Sequence, residues 1–140
     1  MKTIINLSIL AFLLLTPSSH CLAAIGVGDV SPDEARALGV AFRTNTNGEA
    51  GIQVWLELKS EGELKKITYV KLQIGEGESR IMSAALPVSY STPGKGVVTF
   101  SAYPAYLPKS TLMIVVYNGP RGDIGYRFKV KDFIELDKLR

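Results

Sequence analysis

The chain has 140 residues, 46% of them hydrophobic, with 16 basic and 13 acidic side chains and a net charge of +3. That is one ordinary domain with enough apolar residues for a core of its own. The weak excess of positive charge is interspersed with acids and does not mark a nucleic-acid binder, which would show a clustered basic face.

The N-terminal segment has the order of a secretory signal peptide. Met1-Lys2 is a short positive start, residues 4–15 are apolar apart from Asn6 and Ser8, and a Pro/Ser break leads to Ala23-Ala24. The apolar run falls short of the roughly 20 residues that cross a bilayer. A lipoprotein acylated at Cys21 is the rival, but Ser18-Ser19-His20 stands where such sites carry leucine and small residues. Residues 1–23 are therefore read as a signal peptide and residues 24–140 as one domain, secreted or periplasmic, with no later membrane span.

In chain order, the first element is a short helix. Ser31 suits its cap, Pro32 its first position, Glu34 the reciprocal capping contact, and Gly39 its end. From Val40 the period becomes two. Strands are expected at 40–44, 52–59, 67–74, 81–90, 97–103, 112–117 and 125–133. Ile52, Val54, Leu56 and Leu58 alternate with Gln53, Trp55, Glu57 and Lys59, the mark of a half-buried strand. Pro87 puts the 81–90 strand at an edge or gives it a bend. The continuous apolar run 112–117 reads as the most central strand, covered on both faces. Arg127, Lys129 and Lys131 read as charges that guard an outer strand against aggregation. About seven short strands with turns between them predict an all-β antiparallel sandwich, immunoglobulin-like in architecture, although the cysteine pair and tyrosine corner of that fold are absent.

Several chemistries fall away. The only histidine, His20, and the only cysteine, Cys21, belong to the leader. After cleavage no Ser-His-Asp triad, Cys-His pair or ordinary zinc site remains possible. No phosphate or dinucleotide fingerprint is present, so neither a cofactor nor a metal is implied. A hydrolase built on paired carboxylates survives as a remote alternative, but the acids fall mostly in turns. Asp29, Asp33 and Glu34 gather as calcium ligands do, yet Asp33 and Glu34 are already explained as helix-start residues.

Two features suggest binding. Trp55 lies on the polar side of its strand with Gln53, and Tyr69 on the next strand extends the same face if the two strands are neighbours. Such a face serves a protein partner or stacks a sugar. Against this, the helix or the second sheet would make Trp55 ordinary core, the commoner environment for a large aromatic. The loop carrying Arg121-Gly122-Asp123 is similar to the adhesion tripeptide read by integrins, although its Asn, Gly, Pro and Asp are what any turn uses. The functional expectation is an exported, non-catalytic module that binds a protein partner. The alternative is a carbohydrate-binding module that stacks sugars on Trp55 and Tyr69.

Overall fold

The computed structural model describes residues 26–46 and 51–139; the leader, His20, Cys21 and the cleavage point lie outside the described residues. The described residues form strands β1 (Gly26–Asp29), β2 (Val40–Thr46), β3 (Ile52–Lys59), β4 (Ile67–Ile74), β5 (Met82–Leu86), β6 (Ser89–Thr92), β7 (Lys95–Ala102), β8 (Ser110–Val116) and β9 (Ile124–Lys129), with one helix, α1 (Pro32–Leu38). A five-stranded sheet has the order β1-β9-β8-β4-β5 and a four-stranded sheet the order β2-β3-β7-β6. All pairs are antiparallel except β1 with β9. The chain is thus an all-β sandwich with one short helix, and its strand order is that of an immunoglobulin-like Greek key.

The period-two pattern builds the core directly. Val54, Leu56 and Leu58 of β3 and Val98 and Phe100 of β7 face Val70 and Leu72 of β4, Leu112 and Ile114 of β8, and Phe128 of β9. Each such side chain contributes about 1.5–3 kcal/mol when fully removed from water. The side between β1 and β2 is closed by α1, whose Ala35 is buried, and by the C-terminal turns, whose Phe133 stacks on Phe42 at 4.6 Å. The helix has the expected ends. Ser31 Oγ accepts from the Glu34 N–H at 3.3 Å, the Ser31 N–H donates to Glu34 Oε2 at 2.8 Å, and Gly39 closes the helix at φ 75°.

Three expectations are corrected. Nine strands replace about seven, partly because Gly26–Asp29 pairs with β9 although it is too short and glycine-rich to show a period. The 81–90 segment is two strands in different sheets. Pro87 and Val88 carry the chain between them, and both halves are edge strands. The strand carrying Arg127 and Lys129 is not an outer one, because β1 covers it; it also ends at Lys129, after which Val130–Asp132 forms a 3-10 turn. The 112–117 run is the middle strand of its sheet, as expected, with Ile114 and Val115 both buried on opposite faces and Met113 half-buried.

Candidate functional site

The outer face of the four-stranded sheet is built by the residues left over from the core alternation. Register sets Trp55 opposite Arg43 of β2 and opposite Thr99 of β7. Gln53 and Glu57 precede and follow it on β3, and Asn45 and Ser101 complete the rows. Since β3 is flanked on both sides, Trp55 sits in the middle of this face, half-buried among amides, hydroxyls and charges. It is not among the residues of the core cluster, and the alternation of β3 turns it to the face away from the second sheet. The reading of Trp55 as ordinary core is therefore set aside.

Beside Trp55 a groove of about 630 Å³ begins at Arg43 and Glu57 and passes over Lys59 and Lys95 to Ser91 and Thr92 near the edge. Arg43 Nε lies 3.0 Å from Glu57 Oε1. Arg36 of α1 also borders the groove and is tied to Asp33 at 2.7 Å. The lining holds four cations and one carboxylate, so the groove has a positive field that the overall charge does not reveal. A smaller groove of about 390 Å³ separates α1 from the β1–β9 edge, and its walls are mainly apolar; its two acids, Asp29 and Glu34, already have partners.

The predicted site residues separate. Trp55 and Gln53 share the outer face of the four-stranded sheet. Tyr69 is on β4, because residues 60–66 carry the chain from β3 across to the other sheet, and its half-buried ring faces away from Trp55 on the opposite surface of the sandwich. The expected Trp55–Tyr69 platform is not formed. Arg121 and half-buried Asp123 lie in the β8–β9 loop, where Gly119–Arg121 is a 3-10 turn and Gly122 has φ 91°. Neither lines the groove. Arg43, Lys59 and Lys95 are the site residues that sequence reasoning missed. Their outward facing is readable from alternation, but their convergence depends on strand pairing.

The clustered acids are accounted for by local partners. Asp29 pairs with Arg127 and Lys129, joining β1 to β9. The hydrogen bonds from Arg127, and then from Lys129, hold its carboxyl below the ordinary carboxylate range. The Ser31 N–H and hydroxyl do the same to Glu34. A general acid working near neutrality needs the opposite displacement. Among the described residues no three His, Cys, Asp or Glu side chains are grouped so as to hold a metal ion, and no helix is long and apolar enough to cross a membrane. No protein-family model matches the chain, and no curated protein matches it in sequence.

Proposed function

We propose that the protein is an exported, non-catalytic carbohydrate-binding module that takes a sugar chain across the outer face of β2, β3 and β7. The observation that carries this reading is Trp55, a single half-exposed aromatic centred on a sheet face and bordered by Arg43, Gln53, Glu57 and Thr99. A sugar ring has an apolar C–H face that lies on an indole and a rim of hydroxyls that needs donors and acceptors at the indole's edge. Trp55 and its neighbours offer both. The leader-like start of the chain supports export. A protein partner met by a sheet face or by loop tips is the other reading; Trp55, Tyr69 and the Arg121–Asp123 loop would then be separate contacts, because they occupy different faces.

Trp55 is the only tryptophan in the chain, so its emission reports on the site alone. Titrating the purified protein with neutral and acidic cell-wall and polysaccharide fragments should shift that emission, and Trp55→Ala should abolish binding measured by calorimetry. An emission that no glycan moves would remove the carbohydrate reading.

A further inference from the structure

Within the groove, register places Lys59 of β3 directly opposite Lys95 of β7, both on the outer face. Side chains so opposed have Cβ atoms about 4.5–5.5 Å apart, and like charges in that arrangement are destabilising. Of the four cations that border the groove, Arg36 is held by Asp33 and Arg43 by Glu57. Neither Lys59 nor Lys95 lies within ion-pair distance of a carboxylate among the described residues.

Lys59 is also held in place. Its Cβ, Cδ and Cγ cover Gly39, where a built Cβ would approach them to 2.8, 3.0 and 3.1 Å. The Lys59 N–H donates to the Gly39 carbonyl at 3.0 Å, and the following Ser60 N–H donates to the Gly94 carbonyl beside Lys95 at 2.8 Å. The helix end thus holds the stem of Lys59, and the β6–β7 turn, beside which the Glu61 carboxylate also lies, sets Lys95 across from it. An anion placed between the two ammonium groups would relieve their repulsion.

We infer that Lys59 and Lys95 form the anion subsite of the groove and that the ligand is an acidic polysaccharide carrying uronate carboxylates; this rests on the carbohydrate reading above. A carboxylate has two oxygens, one for each ammonium, and the Ser91 and Thr92 hydroxyls lie farther along the groove to meet sugar hydroxyls. Trp55 is four residues from Lys59 on the same strand face, about 13 Å away at the rise of a β-strand, so one extended chain spans the indole and the lysines. Protein interfaces are depleted in lysine and gather aromatics in an apolar centre. A lone indole within polar rows, on the same face as two opposed lysines, does not have that composition.

Polygalacturonate and its fully methyl-esterified form are the probes, since they share a backbone and differ in charge. The acid should bind, weaken as salt rises over about 50–500 mM, and lose about tenfold in affinity to the Lys59→Gln/Lys95→Gln variant. Glutamine keeps the Cβ, Cγ and Cδ that cover Gly39, so the ligand-free variant should melt at or above the wild-type temperature. Equal binding of acid and ester, with Trp55 emission responding to both, overturns the anion subsite and leaves the carbohydrate reading standing. Failure of both polymers to bind overturns the subsite, and the neutral-glycan titrations then decide the carbohydrate reading by themselves. A variant that melts below wild type contradicts the unrelieved repulsion on which the subsite depends.

Discussion

Replacing Trp55 and Leu56 separately by alanine asks one strand which of its faces is core. Leu56 is 0% exposed and packs between the two sheets. Truncating it removes buried methyl groups and leaves a cavity, a loss of about 3–5 kcal/mol. Trp55, its neighbour in sequence, faces the other way and stands opposite Arg43 and Thr99 across the strands. Two cross-strand contacts at about 0.2–1 kcal/mol each, with a little lost strand propensity, give about 1–2 kcal/mol. With a urea slope of about 2 kcal/mol per molar, the midpoints should fall by about 0.5–1 M for Trp55→Ala and about 1.5–2.5 M for Leu56→Ala. Far-UV circular dichroism is the right probe, since the first variant has no tryptophan left. Equal midpoints for the two would mean that Trp55 is a core residue, and the sugar platform would fall with that result.

Two glycines with similar backbone angles should respond differently to alanine. Gly75 has φ 79° and a Cβ there would meet the Ser79 carbonyl oxygen at 2.3 Å, whereas Gly62 has φ 59° and nothing within 4 Å. Thermal melts should show a loss of about 1 kcal/mol for Gly62→Ala, the left-handed penalty alone, and clearly more for Gly75→Ala. Asp29 and Glu34 are both held below the ordinary carboxylate range in the folded protein. Their contribution is therefore complete above about pH 4.5 and is lost as pH falls through the lowered values. Asp29→Asn and Glu34→Gln should flatten the acid limb of a stability–pH curve, and an unchanged limb would refute those roles. Asp29→Asn should also speed hydrogen exchange at the amides of β1 while leaving that of β8 unchanged, because the Arg127 and Lys129 contacts fasten a four-residue strand locally.

The legible parts of the molecule are those written in local pattern. The inward rows of β3, β4 and β7 follow from strict alternation, and α1 follows from Ser31, Pro32, Glu34 and Gly39 within nine positions. The illegible parts depend on pairing across the chain. Gly26-Val27-Gly28-Asp29 has no period to read and becomes a strand only because β9, nearly a hundred residues later, accepts it. Tyr69 was expected beside Trp55 because consecutive strands are usually neighbours, but in a Greek key the β3–β4 connection changes sheets. The same rule explains the site. Alternation alone puts Trp55, Glu57 and Lys59 on one face of β3 and Lys95 on one face of β7. Only the β3–β7 register puts the two lysines opposite each other, after the chain has passed through the five-stranded sheet and returned at Pro87. A one-residue slip of β7 would turn Lys95 toward the core and Gly96 outward, so the hydrophobic row Val98, Phe100 and Ala102 that fixes the register for stability also fixes the charge pair. The anion subsite is in that sense a consequence of core packing, read out on the opposite surface of the sheet.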